Sequence, residues 1–313
     1  MGQDILNKRI AVAGIGGVGG YLAGMLGRVC PHLTMAVRGD RRESILKNGL
    51  VLHSEYKGEI NVRPEYAVPV SEMGEQDYIF VCVKNYSLED VCREMEHAVT
   101  ENTVIIPVMN GVDPGERIRK ALGKGTVVDS LIYIVAFANK DYSVTQQGDF
   151  ANLRIGIRNA DETQQQKVQE VSDILTGADI DHMIAEDIEV EIWRKYILNC
   201  AYNTESAYYD NAIGQLRSDP KKAEEYEALV REAYQVAQAK GVGVRQEHVD
   251  AILHRFYHEL AENATSSLQR DIRAGKKAEV ETFSGYIVRE GQRLGIRTPV
   301  TEKMYEGLKA LQH

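Results

Sequence analysis

One short segment near the start of the chain restricts the possible folds more than any other. Residues 9–13 are rich in Ile, Val and Ala and predict a buried strand. The glycine-rich sequence GIGGVG follows directly at residues 14–19, and residues 21–26 then show helical spacing. Strand, glycine turn and helix in this order indicate the first unit of a dinucleotide-binding domain.

The glycines of this turn have separate predicted tasks. Gly14 lets the chain turn tightly off the strand, Gly16 lets the backbone approach a pyrophosphate, and Gly19 lets the helix pack close to the sheet. The free N–H groups and the positive dipole at the helix start then hold the phosphates. A flexible glycine turn is the alternative, and the position directly after a strand argues against it. The predicted cofactor contacts are Gly14, Ile15, Gly16, Gly17, Val18 and Gly19.

Composition excludes several classes of protein. The 313 residues are enough for two domains and a large core. The chain has 46 acidic and 37 basic residues, a formal charge of −9, which argues against a nucleic-acid or anionic-membrane partner. No apolar run approaches the roughly 20 residues that cross a bilayer, and no signal-peptide pattern is present. Four cysteines without CxxC spacing are typical of reduced thiols, so we expect a cytoplasmic protein.

The first part of the chain alternates strand and helix patterns. Continuous apolar runs at 78–83 and 103–109 predict central parallel strands that are covered on both faces. Other predicted strands lie at 33–37, 50–53, 60–63, 126–128 and 180–184, and predicted helices lie near 87–97, 113–122 and 162–175. This alternation predicts a Rossmann-type doubly wound α/β sheet in a cofactor-binding domain at residues 1–185. From Ile188 the pattern is almost wholly helical, which predicts an all-helical, substrate-binding domain at residues 186–313.

Basic and polar residues follow the predicted strands. Arg38 comes directly after the second strand, with Arg41 and Arg42 close behind, at the point that meets the adenine ribose. Basic residues there suit the 2′-phosphate of NADPH, whereas an acid would serve NAD; a solvated basic turn is the alternative. Lys84 and Asn110 follow two later strands and are predicted on the cofactor side of the sheet. Either residue could instead be an ordinary turn residue at a strand end.

A polar stripe marks the first helix of the second domain. Lys195, Asn199 and Asn203 recur every four positions, and apolar residues cover most of the remaining surface. A solvated face is the alternative, but it would favour better helix formers than Asn. A buried stripe needs hydrogen-bond partners, and a substrate in a cleft between the domains would supply them. We therefore predict that these side chains bind substrate.

A second candidate segment lies near the end of the chain. Gly275 is predicted to end one helix, and Glu279 to open another. A chain that turns back in this way could bring Ser267 and Glu279 to one site. By spacing alone, a surface serine and a first-turn glutamate explain these two residues better than a shared site does.

Together these motifs resemble the ketopantoate reductase family, also called 2-dehydropantoate 2-reductases. The resemblance extends over nearly the whole chain and rests on GIGGVG, VKN, MNG, WRKYILNCAYN and SSLQRDIRAGKKAEVE. It implies the NADPH-dependent reduction of 2-dehydropantoate to pantoate, a step of pantothenate and coenzyme A biosynthesis. It also implies that Lys195 and Glu279 are catalytic, with Lys195 as the general acid, and that Glu279 and Ser267 hold the hydroxyl and carboxylate ends of the substrate. Lys84 and Asn110 would lie between cofactor and substrate.

The implied chemistry agrees with the residue types. A hydride delivered to a ketone leaves negative charge on oxygen, and a nearby ammonium group stabilises that charge and donates the proton. Such a reaction requires no metal, and the sequence shows no metal-ligand cluster. The expected ligands are NADPH and a small 2-oxo acid, and a second copy of the chain, forming a homodimer, is the expected protein partner.

Two positions depart from the family pattern. Thr204 follows Asn203 where members often have proline, and Ile213 stands where some members carry a substrate-binding asparagine. Two other functions therefore stay open, namely an NADP-dependent reductase of another 2-oxo acid and a non-catalytic NADPH-binding sensor. The presence of both Lys195 and Glu279 argues against the sensor, because a sensor needs no acid.

Overall fold

The computed structural model describes residues 2–311, and the chain divides into two compact units between Ile188 and Glu189. The first unit contains eleven strands: β1 (Ile10–Ala13), β2 (Leu33–Ala36), β3 (Leu50–Ser54), β4 (Gly58–Val62), β5 (Tyr66–Val68), β6 (Tyr78–Val81), β7 (Val104–Pro107), β8 (Thr126–Val127), β9 (Asp129–Ala138), β10 (Val144–Gly156) and β11 (Asp181–Ile184). Its α-helices are α1 (Gly2–Ile5), α2 (Gly17–Leu26), α3 (Gly39–Asn48), α4 (Leu88–Met95), α5 (Pro114–Leu122) and α6 (Glu162–Gly177). Short 3₁₀ turns lie at Val70–Glu72, Asn85–Ser87 and Glu96–Ala98.

The second unit is helical. It begins within α7 (Ile188–Tyr209) and continues with α8 (Ile213–Ser218), α9 (Pro220–Ala239), α10 (Gln246–His258), α11 (Ser267–Arg273), α12 (Tyr286–Leu294) and α13 (Pro299–Ala310). A π-helix over Glu281–Gly285 leads directly into α12. The predicted helical C-terminal domain is therefore confirmed.

A six-stranded parallel sheet forms the core of the first unit. Its strand order is β5-β2-β1-β6-β7-β8, which is the order of the doubly wound dinucleotide-binding fold. Alternate residues of each strand face opposite sides, so Ile10 and Phe80 enter one hydrophobic cluster while Ala11 and Ile79 enter another. Because both faces are covered, the central strands β1, β6 and β7 are apolar and buried throughout, as the sequence predicted for β6 and β7.

A second, mixed sheet contains strands whose sequence pattern predicted membership of the doubly wound sheet. β3 and β4 form an antiparallel hairpin, and β3 pairs with β10. β10 also pairs with β9 and β11, so the order of this sheet is β11-β10-β3-β4, with β9 beside β10. The alternating patterns at 50–53 and 60–63 predicted strands correctly but did not indicate this separate sheet, because partner choice depends on distant residues.

Helix α2 packs against both sheets, and its glycines permit this. A Cβ on Gly20 would overlap Val144 of β10, and one on Gly24 would lie 2.9 Å from Cδ2 of Leu52 in β3. A Cβ on Gly17 would overlap the backbone of Ala136 in β9. The helix that follows the glycine turn is thus held by close backbone contacts with the second sheet.

Candidate active site

Residues predicted from the sequence share one edge of the parallel sheet. β1, β2, β6 and β7 are parallel neighbours, and their last residues pair with one another in register. The predicted residues that follow these strands are Gly14 after β1, Arg38 after β2, Lys84 after β6 and Asn110 after β7. This is the carboxyl edge, where ligands bind in doubly wound folds.

Of the first three glycines in the turn, Gly14, Gly16 and Gly17, only Gly16 has open space where a side chain would lie. Gly14 has a φ of +93°, and a Cβ there would lie 2.9 Å from the carbonyl oxygen of Cys82. A Cβ on Gly17 would overlap β9, as described above. Gly16, by contrast, would place its Cβ with no heavy atom within 4 Å. The open side of Gly16, beside the first N–H groups of α2, fits a pyrophosphate.

The remaining residues of the turn have packing roles. A Cβ on Gly19 would overlap the carbonyl oxygen of Gly14, so the glycine allows α2 to lie against the end of β1. The side chains of Ile15 and Val18 pack in the hydrophobic core. These two residues therefore have only backbone groups to offer to a cofactor, and their contacts with one stay a prediction.

The three arginines after β2 have different environments. Arg38 is exposed and immediately precedes α3. Nη1 of Arg41 donates a hydrogen bond to the carbonyl oxygen of Tyr142 at 3.0 Å, and Nε of Arg42 donates to that of Ala67 at 2.9 Å. Arg41 and Arg42 are thus tied to the protein, and Arg38 is the exposed cation of this turn.

A hydrogen-bonded bridge joins the loops that follow β6 and β7. Nδ2 of Asn85 donates to the carbonyl oxygen of Asn110 at 2.7 Å. Nη1 of Arg117 donates to Oδ1 of Asn85 at 3.0 Å, and the same guanidinium forms a bidentate pair with Glu89. Lys84 is half-buried and directly precedes Asn85, so the bridge fixes the backbone that carries both Lys84 and Asn110.

The polar stripe of the second unit lies on α7. Lys195 and Asn199 are half-buried, and Asn203 is buried. Nδ2 of Asn203 donates to the carbonyl oxygen of Asn199 at 3.0 Å, while its Oδ1 accepts from Oγ of Ser267 at 3.1 Å and from the N–H of Leu268 at 3.2 Å. The protein itself therefore supplies partners that were expected from a substrate. Asn203 fixes the start of α11, and substrate binding by Asn199 and Asn203 stays a prediction.

The segment around α11 folds back as its sequence predicted. Oγ of Ser266 caps the helix by accepting from the N–H of Gln269 at 3.1 Å, while the next residue, Ser267, bonds to α7. α11 ends before Gly275, whose φ of +62° is in the left-handed region that favours glycine. Glu279 follows, is buried, and precedes the π-helix by two residues.

Lys195 and Glu279 interact electrostatically. Burial lowers the pKa of Lys195 to about 8, and the negative charge of Glu279 acts in the opposite direction by raising it. A side chain with this pKa is mainly protonated at neutral pH and releases its proton more readily than an exposed lysine. The structure thus brings together the two residues that were predicted to be catalytic.

Tyr196 holds α7 against the π-helix. Its hydroxyl lies 2.7 Å from the carbonyl oxygen of Thr282 and 2.9 Å from that of Phe283, so its proton can be donated to either oxygen. A π-helix has unusual backbone bonding and is frequent at functional sites. Because Tyr196 follows Lys195 and Thr282 lies close after Glu279 in the chain, this contact fixes the position of one catalytic candidate against the other.

Several residues that shape these sites had not been predicted. Asn85 lies within the VKN motif at a strand end and Tyr196 lies within WRKYILNCAYN, so these motifs were the available signals, whereas Tyr142 gave none. Glu205 on α7 is fully buried, and neither of its carboxyl oxygens has a hydrogen-bond partner among the described residues. Burial raises its pKa to about 9. An acidic residue in the middle of a long helix was its only signal.

Two features are absent from residues 2–311. No group of three or more His, Cys, Asp or Glu side chains in this range could hold a metal ion. Within the same range, no helix has the length and apolar character needed to cross a membrane.

Several known proteins are similar to this chain over nearly the whole of its length. The uncharacterized oxidoreductase YkpB of Bacillus subtilis is 27% identical over 305 residues, which cover 96% of this chain and 98% of the relative. The crystal structure of 2-dehydropantoate 2-reductase from Porphyromonas gingivalis W83 has a TM-score of 0.80 at 26% identity, covering 96% of this chain and 98% of that one. D-mandelate dehydrogenase, solved as a ternary structure with NADH and anilino(oxo)acetate, has a TM-score of 0.86 at 19% identity, with 97% and 98% covered. This last likeness is one of fold.

Both units also match family profiles. The profile of ketopantoate reductase PanE/ApbA matches residues 10–160, and the profile of its C-terminal domain matches residues 187–312. The chain therefore belongs to the ketopantoate reductase family of oxidoreductases.

Proposed function

We propose that this protein reduces 2-dehydropantoate to pantoate with NADPH, and that Lys195 donates the proton. The observation that carries the proposal is the interaction of Lys195 with the buried carboxylate of Glu279. Membership of the ketopantoate reductase family supports the reaction class.

When bound, NADPH would supply the hydride for reduction at the C2 carbonyl carbon. Negative charge then develops on the carbonyl oxygen, and the ammonium group of Lys195 stabilises it and donates a proton. Glu279 keeps Lys195 charged, and together with Ser267 it binds the hydroxyl and carboxylate ends of the substrate. Ser267 is already oriented by its hydrogen bond to Asn203.

The residues of the first unit that would hold NADPH fit the cofactor. The open side of Gly16 has room for the pyrophosphate, and the first turn of α2 offers backbone N–H groups to it. Arg38 follows the second strand of the sheet, where the adenine ribose lies in such folds, and its exposed guanidinium suits a 2′-phosphate. Lys84 and Asn110 lie at the same edge, nearer to the nicotinamide in the proposal.

Reduction of a different 2-oxo acid is the second candidate, and Ile213 favours it. This residue is fully buried at the start of α8, where some family members carry a substrate-binding asparagine. An apolar side chain at this position removes one hydrogen-bonding group and would suit a less polar acid.

The test compares two substrates that differ in one hydroxyl group. We expect kcat/KM with NADPH to be at least about 100-fold higher for 2-dehydropantoate than for 2-oxo-3,3-dimethylbutanoate, because a site built to bind a hydroxyl strongly rejects its absence. Comparable values, or a preference for the analogue, would reject pantoate synthesis and support the second candidate. NADPH binding without oxidation by any 2-oxo acid would support a sensor instead.

A further inference from the structure

We infer that Tyr142 is a specificity-determining residue that favours NADPH over NADH by holding Asp40 and Arg41 at the start of α3, an inference that rests on the proposed function. Tyr142 belongs to the turn between β9 and β10, whereas Asp40 and Arg41 belong to the first turn of α3. All three lie in the first unit. The turn and the helix are far apart in sequence, so the fold of the chain brings them into contact.

Tyr142 binds the two charged side chains through different atoms. Its carbonyl oxygen accepts from Nη1 of Arg41 at 3.0 Å, and its ring lies under the guanidinium with 5.4 Å between Cζ and the ring centroid. Its hydroxyl donates to Oδ2 of Asp40 at 3.4 Å, a long hydrogen bond. One aromatic residue therefore holds a cation and an anion of the same helical turn.

The turn that carries Tyr142 is itself held in place. Tyr142 has a φ of +70°, in the left-handed region that bulky side chains rarely adopt. Oδ1 of Asp141 accepts from the N–H of Ser143 at 3.1 Å and from its Oγ at 2.7 Å, and Nδ2 of Asn139 donates to the same Oγ at 2.9 Å. These bonds oppose the strain at Tyr142 and keep its ring directed toward α3.

The contact between Tyr142 and Asp40 bears on the choice of cofactor because Asp40 is negatively charged. A carboxylate near the end of the second strand accepts a hydrogen bond from the ribose 2′-hydroxyl of NADH and repels the 2′-phosphate of NADPH. Asp40 lies two residues after Arg38, the exposed cation proposed to bind that phosphate. The hydrogen bond from Tyr142 holds the carboxylate of Asp40 at the turn between β9 and β10. In this inference, that position keeps Asp40 from pairing with Arg38, whose charge stays available to the phosphate.

The experiment uses 2′,5′-ADP and 5′-AMP as probes of the full-length protein, with dissociation constants from calorimetry. We expect Tyr142→Phe to weaken 2′,5′-ADP about 3- to 10-fold while 5′-AMP is unchanged, because one modest hydrogen bond is lost. Tyr142→Asn suits the left-handed backbone but loses the ring as well, so we expect at least the same loss. Thermal unfolding of each variant checks that it is folded.

A double-mutant cycle separates this mechanism from a structural effect. In an Asp40→Asn background, Tyr142→Phe should leave the ratio of the two affinities unchanged, because position 40 then has no carboxylate that loss of the tyrosine hydroxyl could free. Arg38→Ala is the positive control and should lose more 2′,5′-ADP affinity than either tyrosine variant. If Arg38→Ala weakens the binding of 2′,5′-ADP more than that of 5′-AMP, but Tyr142→Phe and Tyr142→Asn do not, the role of Tyr142 is rejected and the proposed function stands. If the unaltered protein binds both probes equally, the NADPH preference falls, and the role of Tyr142 falls with it.

Discussion

At Lys195, two influences act in opposite directions on one side chain. Burial lowers its pKa from the ordinary 10.5 to about 8, while Glu279 favours the charged form and raises it. An acid catalyst works best when its pKa is close to the pH at which it operates. Burial and the carboxylate together therefore suit Lys195 to the proposed proton transfer.

We expect the pH dependence of kcat to follow this pKa. In the direction of ketone reduction, kcat should be level below about pH 8 and then fall about tenfold per pH unit, because only protonated Lys195 donates. Glu279→Gln removes the charge that raises the pKa, so the fall should begin at lower pH. NADPH oxidation between pH 6 and 10 measures both profiles.

Two further variants complete this test. Lys195→Met should lose about 100- to 10,000-fold in kcat and keep its affinity for NADPH. Glu281→Gln removes an exposed carboxylate close to Glu279 in the chain that pairs with Arg289, and it should leave the profile in place. A Glu279→Gln profile that coincides with that of the unaltered protein would show that this carboxylate does not control the acid.

Residue roles were predictable to different degrees. Arg38 and Lys84 were predicted because strand order alone brings strand ends to one edge. The partners of Asn203 and the contact of Tyr142 with α3 were not, because each depends on a segment far away in the chain. Lys195 and Glu279 were paired through the family resemblance, and the structure adds their electrostatic interaction.

Among the elements, α7 combines the proposed acid with a buried charge of another kind. Glu205 lies on this helix with both carboxyl oxygens unpaired among the described residues, and burial raises its pKa to about 9. Negative charge on Glu225 raises this pKa further, while Lys222 and Lys303 lower it. The carboxyl group is therefore protonated in the folded protein at neutral pH and ionised in the unfolded chain.

This difference makes stability depend on pH. Because the pKa is raised in the folded state, the folded protein holds the proton more tightly, and its free energy of unfolding should fall as pH rises from about 4.5 to about 9. Glu205→Gln should flatten that fall, and Glu224→Gln, which removes an exposed carboxyl, should not. Urea unfolding at pH 5, 7 and 9 measures the slopes, and equal slopes for the unaltered protein and Glu205→Gln would contradict the expectation.

Element boundaries followed local patterns, and sheet assignment did not. The alternation at 50–53 and 60–63 predicted strands, since period-two patterning is a property of adjacent residues. Their membership of a second sheet depends on pairing such as that of Leu52 with Val144, which no local pattern encodes. The same applies to α2, whose Gly20 and Gly24 make room for side chains of strands that lie later in the chain.

For the molecule as a whole, cofactor binding and folding should be separable within the glycine turn. Gly16→Ala should fold normally, because its Cβ meets no heavy atom within 4 Å and its φ of −93° suits other residues, yet the new methyl group would occupy the proposed pyrophosphate position. Gly19→Ala should destabilise the protein by about 1–3 kcal/mol or more, because its Cβ would overlap the backbone at Gly14. Thermal unfolding with and without NADPH distinguishes the two. Gly16→Ala should lose the stabilisation by NADPH without a lower melting temperature, and a melting temperature as low as that of Gly19→Ala would contradict this separation.

The tight seating of α2 also bears on how this lineage can change. A descendant that abandoned nucleotides altogether would still be selected to keep Gly19, Gly20 and Gly24, because the helix has no room for their replacements between the two sheets. Gly16 would be the first of these glycines to be replaced, because a side chain there meets no neighbouring atom. In relatives of this protein, a residue other than glycine at position 16 would indicate that the cofactor has been lost, whereas Gly19, Gly20 and Gly24 would be kept for packing alone.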